Sequence, residues 1–137
     1  MESLSNDTPI PIIREKESQI KSFVMGFHEY RNIWMPHKNE VLLTRMEPTN
    51  KKDRFAVAVI NDKDSIIGHL MKGKDGRFAK TIFYFLRASE YHCCRVYVTG
   101  KAVNQGDNKG MKVPCTSLFK GQSEFVDVLY QELKKHV

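Results

Sequence analysis

Glu47-Pro48-Thr49-Asn50-Lys51-Lys52-Asp53-Arg54-Phe55-Ala56-Val57-Ala58-Val59-Ile60 runs through Asn61-Asp62-Lys63-Asp64 into Ser65-Ile66-Ile67-Gly68-His69-Leu70. Residues 47–53 read as a polar loop, with Pro48 and Asn50 as turn formers. Residues 55–60 are apolar without a break, which predicts a strand at the centre of a sheet. Residues 61–64 then predict a tight hairpin turn into a further strand over 65–70. A polar corner feeding a buried hairpin is the piece around which the remaining segments must arrange themselves.

Outward from that hairpin the pattern stays mostly β. Upstream, residues 40–45 predict a strand, and 29–39 form an irregular stretch holding Trp34 and Pro36. Residues 20–27 predict a strand buried on much of both faces. Residues 1–18, with Pro9, Pro11 and no period of 2 or 3.6, predict a flexible leader to a single domain over 19–137. Downstream, Phe78, Ala79, Ile82, Phe83 and Leu86 recur at helical spacing, with Asp75 as the expected cap. Strands over 91–103 and 112–118 flank a loop at 104–110. A last helix is expected after Ser123, with Phe125, Val128, Leu129 and Leu133 as its apolar stripe. Lys134, Lys135 and His136 complement its C-terminal dipole. Strand hairpins with helices set against them give an α+β class, mostly β, with a small barrel of about six strands and two helices.

Length and composition bound what this fold can be. The chain has 137 residues, 41% hydrophobic and 28% charged, within the range of one domain with one core. No apolar run approaches the ~20 residues that span a bilayer, and the N-terminus lacks the pattern of a secretory signal. Three cysteines without regular spacing do not read as a secreted disulfide framework. An intracellular, nuclear location is expected, with no membrane contact. Lys and Arg number 22 against 16 Asp and Glu, a net +6 that favours polyanionic partners.

Catalytic chemistry finds little support. His92, Cys93 and Cys94 are consecutive, so a strand turns Cys93 away from the other two, and Cys115 has no close second ligand. Core packing explains these thiols better than metal binding or nucleophilic catalysis, so no catalytic residue, metal or cofactor is expected. Met71-Lys72-Gly73-Lys74-Asp75-Gly76 has no Walker spacing, but as a basic, glycine-rich lead-in to a helix it can hold one phosphate on backbone amides. Trp34, in a stretch with Tyr30 and Arg31, is either a plug in the core or a platform on which a base stacks.

The run 47–59 followed by Ile66-Ile67-Gly68-His69-Leu70 resembles the HIRAN domain. That family carries Arg-(Glu/Asp)-Pro-x-Asn-x-x-Asp-x-x-Ala-(Val/Ile)-x-Val and then (Val/Ile)-Gly-(His/Tyr)-(Leu/Val). Pro48, Asn50, Asp53, Ala56, Gly68 and His69 all match. Val24-Met25-Gly26 upstream and Val96-x-Val98-x-Gly100 downstream occur at the family's places, so the likeness covers about residues 20–121. It implies a small OB-like or SH3-like barrel, related to oligonucleotide-binding folds. In a fork-remodelling member, the domain captures the 3′-hydroxyl end of single-stranded DNA. Carried over by position, the likeness assigns the terminal hydroxyl to Asp53, with further contacts from Asn50 and Lys72. Met111 stands where an aromatic contacts a base. An Arg-Tyr pair after the first glycine falls on His28 and Glu29, and His28 is counted among the nucleic-acid contacts. A stacking tyrosine falls on Lys52, a loop asparagine on Thr49 and the motif's leading arginine on Met46. Tyr30 or Trp34 would then supply stacking, and Arg31 and Lys52 would hold backbone and sugar. The resemblance thus implies a non-catalytic module for single-stranded DNA ends, bound in a basic cleft. The alternative is a protein- or peptide-binding adaptor, for which an apolar patch near Trp34, Met35 and Pro36 is expected.

Overall fold

A computed structural model describes residues 14–26, 34–106 and 110–136. Among these residues, seven strands and two α-helices follow in the order β1 (Glu15–Met25), β2 (Val41–Met46), β3 (Val57–Ile60), β4 (Ile66–Leu70), α1 (Arg77–Ala88), β5 (Cys93–Val98), β6 (Val103–Asn104), β7 (Met111–Gln122) and α2 (Ser123–His136). The sheet order is β1-β4-β3-β2-β5-β7-β6, and β1 also pairs with β7. That second pairing closes six strands into an antiparallel barrel, with β6 as a short extra strand on β7.

The closing seam is the longest in the sheet. It runs from Glu15 opposite Gln122 to Met25 opposite Lys112, every residue of β1 having a partner. Along β7 the burial alternates, with Val113, Cys115, Ser117, Phe119 and Gly121 turned inward, as a two-residue side-chain period requires. β3 instead is buried at all four positions. α1 lies against it from outside while its other face lines the barrel, so an unbroken apolar run is what this strand needs. α2 packs on β1, on β7 and on α1. Phe78, Ile82, Phe83 and Phe85 from α1 and Val126, Leu129 and Leu133 from α2 join the barrel residues in one core. Complete burial of side chains this large contributes about 1.5–3 kcal/mol each.

Several boundaries differ from the sequence expectation. β1 begins at Glu15, inside the stretch expected as leader, because its first residues hydrogen-bond to the end of β7; residues 1–13 lie outside the described residues. Phe55 and Ala56 belong to the loop before β3. The expected strand over 91–103 is divided into β5 and β6. The β3–β4 turn is closed by Asn61, whose side-chain oxygen accepts from the amides of Lys63 and Ser65. Asp75 does not cap α1: it lies in a 3₁₀ turn, and Gly76 in a left-handed conformation precedes the helix. The inward stripe of α2 is Val126, Leu129 and Leu133, whereas Phe125 and Val128 are exposed. These two face a groove of about 500 Å³ shared with Tyr84, Phe85 and Ala88 of α1.

Candidate nucleic-acid interface

The polar corner before β3 is held by its own side chains. Asn50 Oδ1 accepts from the amides of Lys52 and Asp53 at 2.9 and 3.0 Å. Its Nδ2 donates to Glu47 Oε1 at 3.3 Å, and His69 Nε2 meets the same oxygen. Asp53 Oδ1 accepts from the Phe55 amide at 2.9 Å. Two backbone bonds, Glu47 N to Ala56 O and Ala56 N to Asp53 O, tie off the base of the loop. Short side chains that bond to their own backbone are what such a corner requires.

This bonding leaves one carboxylate oxygen of Asp53 for other work. Oδ2 stands 3.9 Å from Lys72 Nζ, with the Asp53 side chain 24% exposed and that of Lys72 67% exposed. Both line a cleft of about 630 Å³, within the size range of small-molecule and nucleotide sites. β1 and the glycine after it supply Phe23, Met25 and Gly26 to its walls, and the corner supplies Asn50, Lys52 and Asp53. His69, Met71 and Lys72 come from the end of β4 and the segment after it, and Gln105 and Lys112 from the β6–β7 side. Three lysines therefore share the lining with one carboxylate, and the cleft carries a positive surplus.

The lead-in to α1 works differently from the sequence expectation. The Phe78 amide donates to Lys72 O at 2.8 Å, and the Ala79 amide approaches the same oxygen at 3.4 Å. These first helical amides are already satisfied within the chain, so lysine side chains, not a helix N-terminus, are the groups that present positive charge here. Gly73 has a φ of +71°, and a Cβ there would lie 2.3 Å from Phe78 Cβ and 2.5 Å from His136 O. Only glycine lets the chain turn between Lys72 and α1 while the end of α2 abuts it.

Asn50, Lys52, Asp53 and Lys72, named from the sequence, are thus brought to one cleft. Trp34 is not among its walls. It is 6% exposed, packed in the core, and its indole N–H lies 3.1 Å from both carboxylate oxygens of Glu40. Of its two readings the core plug holds, because burying the indole demands a partner for the N–H, and Glu40 supplies one. The apolar patch expected around Trp34, Met35 and Pro36 is accordingly reduced to an exposed Met35. Met111 is half-buried against the core. His28, Tyr30 and Arg31 lie outside the described residues. Phe23, Met25 and Lys112 were missed. The signal for the first two was Val24 between them: in a strand with one inward residue, its neighbours face the other way.

The thiols sit apart from this cleft. Burial pushes the Cys115 thiol up to about 12 and Cys94 higher still, so both remain protonated. Cys93, between His92 and Cys94, turns to the other face and is partly exposed. Among the described residues, no three His, Cys, Asp or Glu side chains come together as a metal site, and no helix is long and apolar enough to cross a membrane.

No family model matches the chain, and neither does any curated protein. Solved structures do. The crystal structure of the HIRAN domain of human HLTF aligns with a TM-score of 0.65 at 24% identity, covering 86% of this chain and 88% of that one. The NMR structure of the HLTF HIRAN domain gives 0.63 at 23%, covering 87% and 88%. The NMR structure of that domain in its DNA-bound conformation gives 0.59 at 23%, covering 86% and 87%. The closed barrel described here, with its short extra strand and two helices, has the HIRAN fold.

Proposed function

We propose that this chain is a non-catalytic module that binds single-stranded nucleic acid and takes the 3′-hydroxyl end of DNA into the lysine-lined cleft. The observation that carries the reading is the Asp53 carboxylate, one oxygen fixed by the Phe55 amide and the other turned toward Lys72 in a positive hollow. A carboxylate accepts a hydrogen bond from a terminal hydroxyl, and it repels a terminal phosphate. Lys52, Lys72 and Lys112 hold backbone phosphates, while Asn50 keeps the corner in shape and offers its remaining amide hydrogen to sugar or phosphate. The fold shared with a domain solved in a DNA-bound conformation supports the same partner class.

Fluorescence anisotropy with matched 3′-hydroxyl and 3′-phosphate oligonucleotides tests this. The hydroxyl form should bind at least ~10-fold tighter, since a hydrogen bond to a charged group contributes roughly 1.5–3 kcal/mol. Asp53→Asn should erase most of that preference. Equal binding of the two oligonucleotides by the unaltered chain would remove end recognition. The adaptor alternative has the exposed apolar groove between α1 and α2 on its side, and it takes precedence if no oligonucleotide binds even at low salt.

A further inference from the structure

We infer that Phe23 and Lys112 form a second subsite of this cleft, specific for a nucleobase and its adjoining phosphate, behind the nucleotide whose end meets Asp53. The inference rests on the nucleic-acid reading above and adds to it the group that stacks.

Single strands are held by positive charge together with rings on which bases lie. The corner itself offers no such ring, since Lys52 stands beside Asp53. Among the described residues lining the cleft, the rings are those of Phe23 and His69, and the His69 ring is engaged by Glu47. Phe23 is half-buried and is placed by the alternation of β1. Ser22 and Val24 are buried at 2% and 0%, so Phe23 and Met25 face the cleft. Met25 pairs directly with Lys112 on β7, which brings Lys112 diagonally beside Phe23 on that same face.

The contact between the two is informative. Lys112 Nζ lies 4.1 Å from the centroid of the Phe23 ring. An ammonium at that distance sits over the π-face, which is therefore reachable from the cleft and not packed against the barrel wall. A half-exposed lysine on a flexible stem readily exchanges a ring face for a phosphate. Swinging to a phosphate, Lys112 would vacate the face on which the adjoining base then stacks. Phe23 is rigidly mounted for this: its carbonyl accepts from the Met71 amide at 3.1 Å, one residue from Lys72. The subsite and the Lys72–Asp53 pair are thus tied together through the backbone, where β1 meets the end of β4. A phenyl ring reads no base edge, so the subsite accepts any base.

The test is an abasic scan. Oligonucleotides with a 3′-hydroxyl carry one abasic site at each of the last four positions in turn, and anisotropy is measured with the unaltered chain, Phe23→Leu and Lys112→Gln. One interior abasic position should weaken binding to the unaltered chain about 10-fold. That position should cost Phe23→Leu, already weakened by a similar factor, nothing further, and Phe23→Tyr should restore the effect. Lys112→Gln should lower the slope of log affinity against log salt by about 0.7 and keep the same unfolding midpoint. Identical abasic profiles for the unaltered chain and Phe23→Leu, with end preference intact, would overturn the subsite and leave the end-binding reading standing. Absence of binding by the unaltered chain would overturn both.

Discussion

Asp53 and Gly73 bracket the cleft, one by what its side chain does and the other by having none. Asn50 and Asp53 were legible in the sequence because their roles are local: each bonds to amides within three residues. Trp34 was not, since its burial depends on Glu40 and on the core around it. Gly73→Ala should lower stability by at least ~1–2 kcal/mol, the cost of a side chain in the left-handed region, with the clash against Phe78 and His136 added. Gly106→Ala, at a φ of +77° but facing open space, should show the first effect without the second. Urea midpoints of the two variants check this. The thiols give a separate expectation. Cys115 is raised by burial from 9.0 to about 12, and Cys94 is raised further. Below pH 9 both states keep these protons. Above it the unfolded chain releases them and the folded chain does not, so stability falls as pH rises from about 9 toward 12, by up to about 1.4 kcal/mol per pH unit for each thiol. Cys94→Ala should flatten that alkaline limb relative to the unaltered chain. In the native protein a thiol reagent should label Cys93 quickly, and Cys94 and Cys115 only on unfolding.

At the scale of elements, strands with one buried face or with both faces covered were readable, and the helices were readable in place but not in rotation. α2 carries two apolar strips. Val126, Leu129 and Leu133 enter the core, while Phe125 and Val128 face the groove beside α1. Periodicity alone detects an amphipathic helix, but choosing between adjacent strips depends on the surface it meets. The structure therefore ranks substitutions that the sequence pattern treats as equal. Leu133→Ala, at a fully buried position, should cost about 2–5 kcal/mol. Val128→Ala, 64% exposed, should stay within about 0.5 kcal/mol. Denaturant titration of the pair checks this ranking. β7 was underestimated in length for a related reason. Beyond Leu118 its residues Phe119, Lys120, Gly121 and Gln122 continue the seam with β1, and only knowledge of that partner shows that pairing persists there. Gly121 itself fits because a Cβ would lie 2.4 Å from the His92 ring, a contact between segments nearly thirty residues apart.

For the molecule as a whole, the net charge of +6 and three cleft lysines set the expected salt response. Three phosphate contacts on a single strand correspond to a slope of about −2 in log affinity against log salt, measurable by anisotropy across a salt series. The α+β class and a small barrel were legible from the order of segments, and the kinship to oligonucleotide-binding barrels from the resemblance. The register that closes the barrel was not, because nothing in β1 alone names β7 as its neighbour. Refolding from denaturant should fall in the millisecond-to-second range of barrels built from distant pairings, and a chain cut before Met111 should show no cooperative transition. β1 and β7 are separated by some ninety residues of sequence yet share the longest seam. On the ribosome, at roughly 5–20 residues per second, a nascent chain therefore waits on the order of ten seconds with Val24 and its neighbours lacking their partners. Throughout that interval the half-built sheet presents an open, sticky flank to chaperones and to other nascent chains.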